Sequence, residues 1–270
     1  MPVLDTQVER YSVVIAIGGV PIRVNTDAVQ FVELLEKRYA GFVSAETEAE
    51  FDFDIELAEP TFADDVDVRV RYNSGRWFME RGDFRAEWNP ATRKGIIHQT
   101  ANPYSIDAVL RIVHTLVLAK QGGFLLHSAS AIRNGKAFLF AGVSGAGKTT
   151  ISRLAPNDAT LLTDEISYVR KHDLGYLAFG TPFTGELAKL GENTSAPLAA
   201  LYLLAKGPEN RIEPLPEADA GRELLANMLF FAEDQELVHW VFQAACDFVH
   251  RVPVYRLTFV PDARVWEMIG

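Results

Sequence analysis

The chain has 270 residues, 48% of them hydrophobic and 23% charged, enough to bury a large core as one big or two modest domains. Its formal net charge of −10 argues against a general binder of nucleic acid or anionic membrane, either of which needs a basic face. A single cysteine excludes an internal disulfide and a thiolate metal cluster.

The amino-terminal Met1-Pro2-Val3-Leu4-Asp5 lacks the basic start and apolar stretch of a secretory signal, so the expected location is the cytoplasm. Tyr11 to Val24 alternates around Gly18-Gly19 and reads as a hairpin. Asp27 is expected to cap a helix carrying Val29, Phe31, Val32, Leu34 and Leu35, which fades near Tyr39-Ala40-Gly41. Phe51-Asp52-Phe53-Asp54-Ile55-Glu56-Leu57 alternates apolar with acidic. That is the pattern of a strand with one face in water, and it accounts for the carboxylates better than a metal site does. Val66 to Tyr72, Arg76 to Glu80, Phe84 to Trp88 and Gly95 to Gln99 form an antiparallel meander, with Trp77 and Trp88 packing on a sheet face. Ser105 is expected to cap a helix that buries Ile106, Val109, Leu110, Val113, Leu116 and Val117.

The most apolar stretch, Ala108 to Leu126, is interrupted by Arg111, His114, Lys120 and Gln121 and is no membrane span. A domain boundary is placed near residue 100, giving an antiparallel α+β domain over 1–100 and a nucleotide-binding domain over 101–270. From Gly122 the strands read as buried on both faces: Phe124 to His127, a turn at Asn134-Gly135, then Ala137 to Ala141. A short helix from Lys148 must stop by Pro156, and Thr160 to Thr163 is the next strand. Pro197 to Leu204 follows, then helices over Gly221 to Phe231 and Glu236 to Val249, the second carrying Cys246 toward the core. Val254 to Phe259 is the closing strand.

The strand before residue 142 runs into Gly142-Val143-Ser144-Gly145-Ala146-Gly147-Lys148-Thr149-Thr150, the spacing G-x-x-x-x-G-K-[ST] of a phosphate-binding loop. Its glycines let the backbone fold into a nest of N–H groups, Lys148 can reach the β- and γ-phosphates, and the Thr149 hydroxyl can ligate Mg²⁺. The pattern arises by chance in roughly one chain in a hundred of this length, and here strand, loop and helix follow in the required order. Asp164-Glu165 lie sixteen positions beyond Lys148 at a strand's carboxyl end, where α/β sheets present ligand-binding residues. Paired carboxylates there suit a Mg²⁺ ligand and a proton acceptor. A nucleotide hydrolase would use the same pair to hold metal and activate water.

Together with His127, fifteen residues before Gly142, this layout resembles the catalytic domain of HPr kinase/phosphorylase. The likeness covers about residues 122–205. Gly180-Thr181-Pro182-Phe183-Thr184-Gly185-Glu186-Leu187 and Ala196-Pro197-Leu198-Ala199-Ala200-Leu201 also resemble the branch that includes lasso-peptide precursor kinases. The resemblance implies an α/β fold of HPr-kinase/PEP-carboxykinase type that uses ATP and Mg²⁺. Asp164 would accept the substrate hydroxyl's proton, Glu165 would ligate Mg²⁺ beside Thr149, and His127 would lie near the reacting phosphate or the base. Glu186 is a candidate second carboxylate, and Arg211 a candidate for neutralising charge on the transferred phosphoryl group. Residues 1–100 do not resemble the amino-terminal domain of the HPr enzyme, so HPr itself is not the expected acceptor. The reading is a kinase for a Ser/Thr-type or small-molecule hydroxyl. Its rivals are a hydrolase or a nucleotide sensor coupled to a partner. The partners to consider are a nucleotide, a hydroxyl-bearing peptide or small molecule, and a second copy of the chain.

Overall fold

The computed structural model describes residues 9–46, 48–59, 67–173, 175–187, 190–232 and 234–270. The chain is a mixed α/β protein with two sheets and divides into two compact units, Met1–Leu110 and Arg111–Gly270.

The first unit holds a seven-stranded sheet. Strands β1 (Tyr11–Ile17) and β2 (Val20–Thr26) form the expected hairpin. Helix α1 (Val29–Arg38) buries Phe31, Val32 and Leu35, but Asp27 does not cap it. Ala28 occupies the cap position without a side-chain hydrogen bond, and its N–H donates to Thr26 Oγ1 instead. The crossover through α1 sets β3 (Phe51–Leu57) parallel to β2. Strands β4 (Arg69–Asn73), β5 (Arg76–Arg81), β6 (Phe84–Asn89) and β7 (Lys94–Gln99) then meander antiparallel, and β7 returns parallel to β3. The sheet is therefore mixed where the sequence suggested an antiparallel one, because a helical crossover reverses the direction that a hairpin would impose. The start proposed for the meander at Val66 lies outside the described residues.

The acidic side chains of β3 behave as a solvated face. Asp52 accepts from Arg23 and Asp54 from Arg10, both at 2.8 Å. Trp77 and Trp88 sit opposite each other across β5 and β6 and are buried, as sheet-face residues. Helix α2 (Pro103–Lys120) starts three residues earlier than expected, with Pro103 in its first turn and Asn102 Oδ1 accepting from the Tyr104 N–H at 3.0 Å. Ser105 thus falls inside the helix, where its hydroxyl donates to Asp83 at 2.6 Å.

In the second unit β8 (Phe124–Arg133) turns at Asn134-Gly135 into β9 (Lys136–Ala141), and helix α3 (Lys148–Arg153) follows a glycine-rich loop. Next come β10 (Thr160–Thr163), β11 (Ile166–His172), β12 (Gly175–Phe179), β13 (Ser195–Lys206) and β14 (Arg211–Pro214). Helices α4 (Glu217–Asn227) and α5 (Gln235–Arg251) precede β15 (Val254–Phe259) and a 3-10 turn over Ala263–Met268. Strand β13 runs parallel to both β9 and β15, while β8 is antiparallel to β9, β10 and β11.

Every residue of Ala137-Phe138-Leu139-Phe140-Ala141 is buried, because β9 has a neighbour on each edge and apolar packing on both faces. On one face Phe140 stacks on Tyr202 and meets the edge of Trp266 at 5.3 Å, in a cluster with Ile151, Leu257 and Phe259. Helix α5 buries Leu237, Val241, Ala244, Ala245 and Phe248, and Asp234 caps it by accepting from the Leu237 N–H. Cys246 lies between these inward positions and is exposed, contrary to the core role expected for it. Helix α4 starts and ends four residues earlier than the apolar spacing suggested. It starts after Pro216 with Glu217 and Asp219 in its first turn, and the chain leaves it at Met228 to bridge Leu126. Among the described residues no helix is long and apolar enough to cross a membrane.

His114, on the part of α2 within the second unit, is fully buried against the edge of the Tyr168 ring, with neither ring nitrogen hydrogen-bonded. Burial pushes its pKa from 6.5 down to about 3. The native state therefore binds fewer protons than the unfolded chain between those values, and stability falls as pH drops from 6.5 toward 3. In urea titrations across that range, wild type should lose roughly 4–5 kcal/mol more than His114→Leu as an upper bound, at about 1.4 kcal/mol per pKa unit.

Candidate functional site

The loop between β9 and α3 is built by close packing. At Gly147 the backbone has φ 117°, and a Cβ there would stand 2.7 Å from the Phe259 ring, so both conformation and space require glycine. Ala146 is buried in the cluster beneath the loop and its N–H donates to the Val143 carbonyl at 3.0 Å, while Val143 itself projects outward. Lys148 is only 8% exposed, and its ammonium donates to the Gly142 carbonyl at 2.8 Å. Burial holds its pKa below the ordinary lysine value, opposed by the charges of Glu165 and Glu186.

A cleft of about 380 Å³ opens over this loop. Ser144, Gly145, Gly147, Lys148, Thr149 and Thr150 line one part of it, and His127, Glu165, Gly185 and Glu186 the rest. His127 is near the middle of β8, opposite Ile166 of β11, and Glu165 immediately precedes β11. That pairing brings His127 Nδ1 to 3.6 Å from Glu165 Oε1. Burial keeps the imidazole below its usual pKa, the positive charges of Lys148 and Arg111 push the same way, and Glu165 opposes them. The neutral ring is thus favoured.

Asp164 does not face the cleft. It is 2% exposed, and its two oxygens accept from the backbone N–H groups of Gly185 and Leu187, each at 2.9 Å. The acid expected to accept the acceptor's proton ties down, in this structure, the segment that carries Glu186. A Cβ on Gly185 would stand 2.7 Å from Glu165 Oε2 and 3.0 Å from Asp164 Oδ2, so this glycine lets the loop lie against both acids. Arg211 is equally distant in role. It is an exposed residue of β14 paired with Glu213 at 3.0 Å and does not line the cleft.

Thr149, Glu165 and Glu186 are hard oxygen donors on one cleft, the set that suits Mg²⁺. Among the described residues no group of three or more His, Cys, Asp or Glu side chains could cage a metal by itself. Gly185, one of the lining residues, was marked in the sequence only as part of the Gly180–Leu187 stretch. A glycine carries no side-chain signal that would place it beside the two acids.

Replacing Asp164 by Asn turns one acceptor oxygen into an amide that faces a backbone donor. Asp164→Asn should cost about 1–3 kcal/mol in chemical denaturation and speed amide exchange at Gly185 and Leu187, with the amides of β9 unaffected.

No curated protein matches the chain. Among solved structures, the HPr(Ser) kinase/phosphatase of Coxiella burnetii aligns over 50% of this chain and 84% of its own, at 10% identity and a TM-score of 0.27. That likeness is too slight to carry function. A family model described as SynChlorMet cassette protein ScmC matches residues 96–270, which include α2, the whole second sheet and every residue of the cleft. The description names a cassette and no reaction. By that match over more than half its length, the chain belongs to the ScmC family of SynChlorMet cassette proteins.

Proposed function

We propose that the protein is a nucleoside-triphosphate- and Mg²⁺-dependent phosphotransferase acting on a Ser/Thr-type or small-molecule hydroxyl. The observation that carries this reading is the convergence of the glycine loop, Lys148, Thr149, His127, Glu165 and Glu186 on a single cleft. The loop N–H groups and Lys148 hold the phosphates, for which Lys148 must leave the Gly142 carbonyl. Thr149 and Glu186 hold Mg²⁺, which supplies charge neutralisation at the phosphates when bound. Glu165 takes the proton of the acceptor hydroxyl, with His127 beside it on the cleft wall. Asp164 is a positioning residue that holds the Gly185–Leu187 segment so that Glu186 reaches the cleft. Catalysis is then placement plus electrostatics, as phosphoryl transfer requires.

Phosphorus NMR of the protein with ATP and Mg²⁺, alone and with serine-containing peptides and hydroxylated metabolites, tests this reading. A new phosphomonoester resonance is expected, lost by at least 100-fold in rate in Glu165→Gln with nucleotide affinity within about threefold of wild type. Inorganic phosphate released at one rate with or without acceptors would replace the kinase by a hydrolase. Tight ATP binding without turnover would replace it by a sensor.

A further inference from the structure

We propose that Arg111 is the second cation of this site, binding the phosphoryl group as it passes from nucleotide to acceptor. The inference rests on the transfer reading above and supplies the role that Arg211 does not fill. Arg111 projects from α2 with its guanidinium carbon 4.8 Å from the centroid of the Phe183 ring. Phe183 is a fixed platform, 1% exposed, and its carbonyl accepts from the Thr163 hydroxyl at 3.2 Å. Two and three residues further on, Gly185 and Glu186 line the cleft. The charge of Arg111 also reaches His127 on the cleft wall, as that of Lys148 does.

Charge balance gives this placement its meaning. The side chains lining the cleft include one lysine, Lys148, against two carboxylate residues, Glu165 and Glu186. A Mg²⁺-bound triphosphate brings about two further negative charges, so binding there needs positive charge from outside the lining. Arg111 stays protonated, and its planar fork on an aromatic face is pre-oriented to donate paired hydrogen bonds to phosphoryl oxygens. In the transfer the acceptor-oxygen-to-phosphorus bond forms as the bond from the γ-phosphorus to the bridging oxygen breaks. The electron pair stays on the β-phosphate, and the acceptor's proton goes to Glu165. Arg111 donates to the equatorial oxygens, where charge is spread in the transition state, and exchanges no proton.

The test uses the full chain with Mg²⁺ and ADP and measures binding of radiolabelled inorganic phosphate to the ADP complex by equilibrium dialysis. Arg111→Met should weaken phosphate binding at least tenfold while changing ADP affinity less than twofold, and Arg111→Lys should recover part of the loss. Under turnover, kcat should fall with little change in nucleotide KM. Phe183→Leu removes the platform but keeps the charge; it should give a smaller loss in the same direction and serves if Arg111→Met does not fold. Phosphate binding that is absent in wild type, or indifferent to residue 111 while ADP binds normally, overturns the role of Arg111 alone. Failure of wild type to bind ADP overturns the transfer reading and this inference with it.

Discussion

The cleft depends on one constraint, the seating of β9 between β8 and β13 with apolar side chains packed against both of its faces. A strand buried in this way has no freedom to slip, because moving it by one residue would turn Phe138 and Phe140 out of the cluster that holds Tyr202 and Trp266. The loop that leaves its carboxyl end inherits that rigidity. Gly147 is pinned under Phe259, Ala146 is buried below, and Lys148 enters α3 from a defined direction. The neighbours of β9 deliver the other half of the site. Strand β8 contributes His127, and its pairing with β11 brings Glu165 alongside.

The electrostatics of the cleft follow from the same packing. Lys148 and His127 are both pushed toward their neutral forms by burial; Glu165 opposes this at both, and Glu186 at Lys148. The ammonium of Lys148 is satisfied by the Gly142 carbonyl, which ties the start of α3 back to the first residue of the loop. Asp164 illustrates how a carboxylate in a suggestive sequence position can serve architecture. Two backbone donors occupy its oxygens, and their strength as charge-assisted hydrogen bonds keeps the Gly185–Leu187 segment against the strand ends.

Much of the fold was legible because its signals are local. The Gly18-Gly19 and Asn134-Gly135 turns, the alternation in β3, the end of α3 before Pro156 and the strand ahead of the glycine loop all depend on a few adjacent residues. Cap positions were less legible. Asp27 and Ser105 have the chemistry of caps, yet Thr26 and Asn102 lie where the backbone turns, and hydrogen-bond geometry rather than residue type selects between them. The parallel pairing of β3 with β7 and the β11–β12 hairpin were not visible either, since strand order is set by which faces find partners across long separations.

The sequence by itself determined that a glycine loop with a lysine and a threonine follows a buried strand and that an acidic pair follows the next one, because these depend on spacing along a single segment. Only the tertiary structure decided which of the two acids lines the cleft, that Arg111 stacks over Phe183, and that Cys246 points outward. Each of those outcomes is fixed by contacts between segments 21 to more than 100 residues apart: Asp164 with Gly185, Arg111 with Phe183, Phe248 with Phe124. Side-chain direction at such places is set by packing and hydrogen bonding that no local pattern encodes.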